Sequence, residues 1–322
     1  VAIDAGDPRK IYAATSSTLS QTQDGGQSWS RSDDGLLNRP AQELSAIIPL
    51  LVGQSLQGVA VGQGDSSTLY ALTTSFVYSS SNNGQAWTRI NYDFGRTSGP
   101  NQSPAGFPTA LAVASNVIYV GIAVNTPIGS VFRSADGGST WTPAGSGLQL
   151  SIKSLAVYPG DSNIVYAVAE SGGDTVFKTT DGGASWLPLS AGLPSRALFG
   201  SIVIDPTSPD TAYLPVLTGS GGIYKTTDGG LTWNMILPGL TVNVMAVDPS
   251  APAILYASTS AGLKRSTDAG ATWLSAKVGL SDSVVSLAVD PTSPATVYAG
   301  TRTMGLFKTT NRGLRWQPTG SR

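Results

Sequence analysis

The hydrophobic positions of this 322-residue chain fall in short runs that alternate with polar positions, and turn residues separate the runs. In VVSLAVDPTSPATVYAGTRTMGLFKTTNRGLRWQPTG (284–320), four runs rich in β-branched and aromatic residues are divided by Asp-Pro, Ser-Pro or glycine. No run has helical periodicity, and short strands with such turns are typical of an antiparallel meander. The pattern predicts four strands here, at 287–290, 296–300, 305–309 and 315–318.

The same pattern recurs seven times along the chain. Every tryptophan ends a short box such as SADGGSTW (134–141), and the boxes are spaced by 40 to 58 residues. The tryptophans are Trp29, Trp87, Trp141, Trp186, Trp233, Trp273 and Trp316. Each box follows one member of a tyrosine column: Tyr12, Tyr70, Tyr119, Tyr166, Tyr213, Tyr256 and Tyr298.

Seven copies of a four-stranded unit predict an all-β fold, a single seven-bladed β-propeller with four antiparallel strands per blade. We expect the blades at 1–34, 55–92, 108–146, 152–193, 200–238, 242–279 and 284–322. Two insertions, at 35–54 and 93–107, then lie between the early blades.

The box pattern Ser/Thr-x-Asp-x-Gly-x-Ser/Thr-Trp resembles the Asp-box, or bacterial neuraminidase repeat, of sialidases, sortilin, two-propeller xyloglucanases and photosystem II assembly factors. The resemblance covers all seven copies. It implies a β-propeller with the box on the hairpin between the third and fourth strands of each blade. It implies no single reaction, because these families share the hairpin and not a chemistry.

Each position of the box has a structural explanation. The carboxylate can accept N–H groups of the turn, the glycine can adopt a left-handed conformation, and the tryptophan can pack between blades. A hard metal ion would need several more oxygen ligands than the single carboxylate of one box. We therefore predict structural roles for the box aspartates Asp24, Asp136, Asp181, Asp228 and Asp268. In two copies Asn82 and Asn311 take that position.

Composition narrows the function classes. The chain has no Cys and no His, which excludes the usual zinc sites, Cys–His and Ser–His–Asp nucleophiles, and disulfides. A net charge of −1 with 12% charged residues argues against a nucleic-acid surface. The most apolar stretch, LSAIIPLLV (44–52), has about half of the roughly 20 residues that a membrane span needs. We expect no cofactor, no metal, no nucleic-acid partner and no membrane span.

The beginning of the chain and its general composition bear on localisation. VAID at the start matches the second half of a first strand, so we expect a further segment upstream, and the chain to belong to a larger chain or complex. Abundant Gly, Ser and Thr with few charges is typical of exported bacterial repeat proteins. A secreted or periplasmic location is the resulting prediction.

The two long insertions indicate where a ligand binds. In a meander, the loops between second and third strands and the connections between blades emerge on one side, opposite the boxes; we call this side the insertion face. Both insertions exceed about 12 to 15 residues, a length at which loops are commonly functional. We predict a binding site beside blades 1 to 3, formed by Arg31, Arg39, Glu43, Arg89, Tyr92, Asp93, Phe94 and Arg96. The alternative is a plug in which ELSAIIPLLV covers apolar surface over the central channel.

Two functions remain open. The first is a non-catalytic binding or scaffold propeller, acting in protein–protein interaction through the loops of blades 1 to 3. The alternative is a carbohydrate-active propeller, a lectin or glycoside hydrolase resembling one half of a two-propeller xyloglucanase.

A hydrolase needs two carboxylates roughly 5 to 9 Å apart, and the candidates are Asp33, Asp34, Asp93 and Glu170. YAVAESGG (166–173) resembles a loop that carries a catalytic carboxylate in those enzymes, with Glu170 replacing Asp. The expected partner is thus a protein or a glycan.

A basic column accompanies the boxes, three residues before the Asp or Asn position. Its members are Arg133, Lys178, Lys225, Arg265 and Lys308. Such a column can form a patch for phosphate or an acidic partner. It can equally lie along the sheet and pair with local acceptors, and we favour this second interpretation.

Overall fold

A computed structural model of the chain describes residues 1–36, 55–62, 68–90, 106–124, 130–148, 150–170, 175–218 and 221–319. These residues form 28 β-strands and contain no helix. The strands make seven four-stranded sheets, in each of which consecutive strands pair antiparallel in chain order. The protein is an all-β, seven-bladed propeller, which confirms the predicted fold class.

The strands of the first four blades have the following bounds. Blade 1 contains β1 (Ala2–Ile3), β2 (Ile11–Ala14), β3 (Leu19–Thr22) and β4 (Ser30–Arg31). Blade 2 contains β5 (Leu56–Val61), β6 (Leu69–Thr73), β7 (Val77–Ser80) and β8 (Thr88–Arg89). Blade 3 contains β9 (Gly106–Ala114), β10 (Val117–Val124), β11 (Val131–Ser134) and β12 (Thr142–Pro143). Blade 4 contains β13 (Ile152–Val157), β14 (Val165–Ala169), β15 (Val176–Thr179) and β16 (Leu187–Pro188).

The last three blades follow the same order. Blade 5 contains β17 (Val203–Asp205), β18 (Ser208–Val216), β19 (Gly222–Thr226) and β20 (Asn234–Pro238). Blade 6 contains β21 (Val242–Val247), β22 (Leu255–Thr259), β23 (Gly262–Ser266) and β24 (Leu274–Ser275). Blade 7 contains β25 (Val284–Val289), β26 (Val297–Thr301), β27 (Leu306–Thr309) and β28 (Gln317–Pro318).

Two first strands are longer at their start than the sequence pattern predicts. The first strand of blade 7 begins at Val284, not at 287, and the first strand of blade 3 begins at Gly106, inside the expected insertion at 93–107. In both strands a β-bulge skips one residue, and pairing resumes beyond it. The extra residues break the apolar alternation, which is why the pattern alone placed the starts too late.

The first strands form the centre of a closed ring. Those of neighbouring blades contact one another from β1 to β25, and β25 contacts β1. The first-strand residue opposite each column tyrosine is small: it is Ala2, Ala60, Ala112, Ala156, Val203, Ala246 or Ala288. Small side chains fit the narrow centre of a propeller, where the blades converge.

The tyrosine column joins one blade to the next. All seven side chains are at most 2% exposed, and they are the largest fully buried side chains of the protein. The hydroxyl of Tyr119 donates to the Ser162 carbonyl of blade 4 at 2.9 Å. The hydroxyl of Tyr298 donates to the Gly25 carbonyl at 3.2 Å, and this bond links blade 7 back to blade 1.

The tryptophans join each blade to the one before it. In five blades the indole N–H donates at 2.7–2.9 Å to a carbonyl three residues past the preceding tryptophan; the donors are Trp87, Trp141, Trp186, Trp233 and Trp316. Trp273 instead bonds Gly270 within its own turn. The expected acceptor would be Ile236, but a bulge in β20 leaves Ile236 without a partner in the β19–β20 register.

The basic column contributes to the same junctions. Lys178 Nζ lies 2.9 Å from the Asp210 carboxylate of blade 5, and Lys225 Nζ donates to the Ala269 carbonyl of blade 6. Arg265 donates to the Arg312 carbonyl of blade 7. Four members also lie over the column tyrosine of their own blade, as cation–π contacts: Arg133, Lys178, Lys225 and Lys308. The column therefore lies along its own sheet over the tyrosines and pairs with acceptors of the next blade.

The turns between third and fourth strands, which we call the repeated turns, share one hydrogen-bond pattern. In blade 3, Asp136 Oδ1 accepts the Thr140 N–H at 2.8 Å, and Oδ2 accepts the Thr140 hydroxyl at 2.6 Å. The Ser134 hydroxyl donates to Asp136 Oδ1, while its oxygen accepts the Gly138 N–H. The same bonds recur around Asp24, Asp181, Asp228 and Asp268. Hydrogen bonds from Thr140 chiefly lower the pKa of Asp136, to about 2.

Candidate binding face

Strand direction divides the ring into two faces. The repeated turns and the turns between first and second strands lie on one side, which we call the turn face. The loops between second and third strands and the connections between blades lie on the other side, the insertion face. Each first strand begins at the insertion face, so its first residues surround the mouth of the central channel.

A β-bulge recurs at this mouth. Five first strands contain a register shift near their start, and in each of them one residue is skipped in the pairing with the second strand. The skipped residues are Gln57, Thr109, Lys153, Asn243 and Val285, which we call the rim residues. A bulge leaves its extra residue unpaired and redirects the side chain, and bulges are common at barrel rims and beside active sites.

The rim residues offer several chemical groups to a ligand. Gln57, Asn243 and Val285 are exposed, and Val285 exposes 45% of its surface. Lys153 is half-buried, and its side chain has no hydrogen bond or ion pair with the described part of the chain. The Thr109 hydroxyl hydrogen is not available to a ligand, because the hydroxyl donates to the Ile152 carbonyl of blade 4. The rim therefore presents two amides, one ammonium group and one apolar side chain.

Sequence reasoning missed the rim residues. Each stands three positions before the small residue opposite the column tyrosine, as in LQGVAV, IKSLAV, VNVMAV and VVSLAV. The signal that could have found them is a mismatch, because the apolar alternation slips by one residue at this point. We interpreted the slip as the boundary at which the first strand begins.

The structure gives Asp33 a structural environment. It is 3% exposed, forms an ion pair with Arg31 and accepts the Leu19 N–H on its second oxygen at 3.4 Å. Ser190 of blade 4 follows Trp186 by four residues, as Asp33 follows Trp29. The Ser190 hydroxyl accepts hydrogen bonds from N–H groups at the start of β15. Asp33 thus caps the start of the third strand of blade 1 as Ser190 does in blade 4, and this leaves its carboxylate poorly placed for general acid or base catalysis.

Arg89 contacts an aromatic ring on the insertion face. Its guanidinium carbon lies 3.7 Å from the centroid of Phe76, in the loop between β6 and β7. Phe76 in turn meets Tyr78 edge to face. Cation–π contacts at such distances contribute about 0.5–1 kcal/mol at exposed sites. Arg89 and Phe76 together make an amphipathic surface, and along the chain Arg89 precedes the second predicted insertion at 93–107.

Glu170 reaches the insertion face at the end of β14. Its side chain is exposed, while its N–H donates to the Ser151 carbonyl at 2.8 Å. It belongs to the same sheet as the rim residue Lys153. Asp33 and Asp34 belong to blade 1, and blades 2 and 3 stand between them and blade 4 in the ring. The structure therefore does not bring Glu170 together with either aspartate.

Asp282 is a further acidic residue of this face. Its Oδ2 accepts the N–H and the hydroxyl of Thr303 at 2.6 and 2.9 Å, and also the Met304 N–H. These bonds hold the second-to-third loop of blade 7 against the connection from blade 6. Hydrogen bonding, chiefly from the Thr303 N–H, lowers the pKa of Asp282.

A cavity of about 280 Å³ opens on the insertion face of blade 5. It lies between the connection from blade 4 and the loop after β18, and its lining includes Pro194, Arg196, Val216 and Tyr224. Arg196 has φ of 61°, a left-handed conformation that is uncommon outside glycine and is found more often at functional sites. The cavity is large enough to hold one side chain of a bound polypeptide.

Six predicted site residues lie outside the described part of the chain. They are Arg39, Glu43, Tyr92, Asp93, Phe94 and Arg96. The predicted groove between the two insertions consequently stays a prediction, and so does the alternative plug. Among the described residues, no group of three or more His, Cys, Asp or Glu side chains is placed to hold a metal ion. A membrane-spanning helix is likewise not found in the described ranges.

Comparison with known proteins supports the fold. Residues 2–156 match the family model of the DUF6242 beta propeller domain. Curated proteins gave no significant match to the sequence.

Solved structures resemble almost the whole chain. The GH74 xyloglucanase from Xanthomonas campestris is 19% identical, with a TM-score of 0.73 over 98% of this chain. This chain spans 53% of the length of that enzyme, about half. YCF48 from Cyanidioschyzon merolae is 16% identical, with a TM-score of 0.66 over 95% of this chain and 93% of its own. YCF48 bound to D1 peptide is 18% identical, with a TM-score of 0.67 over 96% and 92%. The predicted resemblance to xyloglucanase propellers is confirmed at the level of fold.

Proposed function

We propose that this protein is a non-catalytic binding propeller that recognises a partner polypeptide through its insertion face. The observation that carries the proposal is the rim: five blades place a bulged residue at the channel mouth, where an ordinary strand would bury or pair it. The exposed rim amides can donate to and accept from a peptide backbone, and Val285 can contact an apolar side chain. The repeated aspartates then have a scaffold role.

The cavity of blade 5 and the Arg89–Phe76 surface support the same proposal. Protein-binding surfaces are enriched in pockets that hold anchor side chains and in aromatic and arginine side chains. The predicted loop residues Arg39, Glu43, Tyr92, Asp93, Phe94 and Arg96 would extend this surface along blades 1 to 3. A solved structure of YCF48 contains a bound D1 peptide, and that propeller matches this chain over nearly its full length.

A carbohydrate-active propeller is the second candidate, and Glu170 is the observation that favours it. Its exposed carboxylate stands after a second strand, in the loop that resembles the catalytic loop of xyloglucanases. It ranks second because glycoside hydrolysis needs two carboxylates flanking one bond. Within the described residues, Asp33 is ion-paired and Asp282 is held by four hydrogen bonds. Asp34 is exposed but belongs to blade 1, apart from Glu170 of blade 4, and Asp93 stays a prediction.

Site-specific photo-crosslinking tests the proposed function. A photoreactive amino acid is placed at Gln57 or at Asn243 on the rim, and at the exposed Ser139 on the turn face as the control. After irradiation in an extract of the native source, we expect one discrete polypeptide adduct from both rim positions and none from Ser139. Equal adducts from all three positions contradict a specific rim site. Release of reducing ends from xyloglucan, lost on Glu170→Gln, would establish the hydrolase instead.

The proposal agrees with the predicted secreted or periplasmic location. A propeller with rigid blades can display a recognition surface outside the cell without a cofactor. The partner would then be another exported or surface protein of the same cell.

A further inference from the structure

A second cavity, on the turn face, has a chemistry different from that of the rim. It has a volume of about 280 Å³ and lies in the groove where blade 7 meets blade 1. Residues of two repeated turns line it, among them Gly25 and Gly26 of blade 1 and Lys308, Thr310, Asn311 and Arg315 of blade 7.

The repeated turn of blade 7 lacks the pair of an aspartate and a Ser or Thr that five other turns contain. Five blades have an aspartate whose Oδ2 accepts the hydroxyl of a Ser or Thr four residues later. In blade 7 these two positions are Asn311 and Arg315. The exchange removes a carboxylate and adds a guanidinium, so the turn changes from anionic to cationic.

The junction itself also differs from its neighbours. In five junctions the indole of a tryptophan bonds a carbonyl of the preceding blade, but within the described residues Trp29 donates no such bond to Thr319. Lys308 holds the two blades together through the Gly25 carbonyl at 3.0 Å. The missing indole bond accompanies the open space between the turns.

Two cations line this cavity without acidic partners. Arg315 is exposed and, among the described residues, its guanidinium contacts no carboxylate; the Lys308 ammonium also has none. The equivalent Lys178 of blade 4 has Asp210 at 2.9 Å. The Asp24 carboxylate accepts hydrogen bonds from Thr22, Gln27 and Ser28 of its own turn.

We infer that this cavity is an anion-binding subsite that accepts a single carboxylate group. The Arg315 guanidinium is a planar donor that matches the geometry of a carboxylate, and Asn311 and Thr310, which line the same cavity, have an amide and a hydroxyl as further donors. The volume is at the lower limit of ligand pockets, which suits one acidic side chain or a small carboxylic acid. The subsite lies on the face opposite the rim and does not depend on the proposed function.

Titration with glutarate, followed by NMR of the amides of Gly25, Gly26 and Thr310, tests the subsite. Glutaramide, which has the same shape without charge, is the ligand control. The decisive variant is N311D/R315T, which gives blade 7 the Asp–Thr pair of blade 3 and should leave the fold at least as stable. R302T removes an exposed arginine on the insertion face and serves as the charge control.

We expect saturable shifts with glutarate for the wild type and for R302T, and affinity about tenfold lower for N311D/R315T, as for loss of a charged hydrogen bond. Added salt should weaken the binding. Thermal unfolding verifies that the variants fold, and R315S provides a second test if the double variant does not. Equal shifts with glutaramide, unchanged affinity in the variants, or no shift at tens of millimolar glutarate would each overturn the inference.

Discussion

At the residue scale, the acidic position of a repeated turn and the residue four places later vary together. Where the first is aspartate, the second is Ser or Thr, and its hydroxyl donates to Oδ2 at 2.5–2.6 Å. Where the first is Asn82 or Asn311, the second is Ala86 or Arg315. An asparagine has one acceptor oxygen, which the turn N–H and the preceding hydroxyl already use. Its NH₂ group cannot accept a second hydroxyl hydrogen.

This coupling predicts non-additive effects in blade 3. Asp136→Asn should lower the unfolding midpoint by a few degrees, because the Thr140 hydroxyl loses its acceptor. Thr140→Ala should also destabilise the wild type, but should cost much less when Asp136→Asn is already present. Thermal unfolding of the two single variants and the double variant measures the coupling. Strictly additive midpoints would show that the two side chains do not act as a unit.

Residue types in the boxes were sufficient to predict this turn chemistry. Asp33 shows the limit of prediction from sequence. It was a catalytic candidate, and no neighbouring residue type indicated that its side chain is buried. Its neutralising partner Arg31 is two residues away, a spacing that places side chains on the same side of an extended strand. Only the fold shows that the second oxygen points at the start of β3.

At the element scale, the repeated turns respond to acid. Hydrogen bonds, chiefly from the threonine hydroxyl four residues later, hold the pKa of Asp136, Asp228 and Asp268 at about 2, below the ordinary 3.8. A folded-state pKa below the unfolded one means that the unfolded chain binds more protons in this window. The stabilisation is therefore complete above about pH 4 and is lost as the pH falls towards 2.

We expect the urea midpoint of the wild type to fall steeply between about pH 4 and pH 2. A variant with Asn–Ala in place of Asp–Thr at all three turns, following Asn82 and Ala86, should show a shallower fall over that range. Both proteins should have similar slopes between pH 5 and pH 7. An equally steep acid transition in the variant would place the responsible carboxylates elsewhere.

Strands and turns were predictable at this scale, while bulges were not. The four runs per repeat are visible because apolar and β-branched residues alternate with polar ones. In VVSLAV the skipped residue Val285 is itself apolar, so the slip in the apolar alternation is as compatible with a later strand start as with a bulge. A bulge is defined by the register between two paired strands, and the residue pattern of one strand does not specify that register.

At the scale of the whole molecule, the seven-fold repeat determines a ring whose two faces have different chemistry. The turn face is built from the repeated turns and carries the cationic cavity at the junction of blades 7 and 1. The insertion face carries the rim residues and the blade 5 cavity, and the two insertions are predicted to lie there as well. The contact of β25 with β1 and the hydrogen bonds from Tyr298 and Lys308 to the Gly25 carbonyl close the ring.

Selection of peptides from a displayed random library tests the central claim, that the insertion face is the binding face. Peptides selected on the wild type are measured against a rim variant, with Gln57, Lys153, Asn243 and Val285 changed to alanine, and against a turn-face variant, with the exposed Leu231 and Leu314 changed to alanine. We predict at least about tenfold weaker binding to the rim variant and unchanged binding to the turn-face variant. Peptides that bind the rim variant as tightly as the wild type, or that lose binding only to the turn-face variant, would contradict the account.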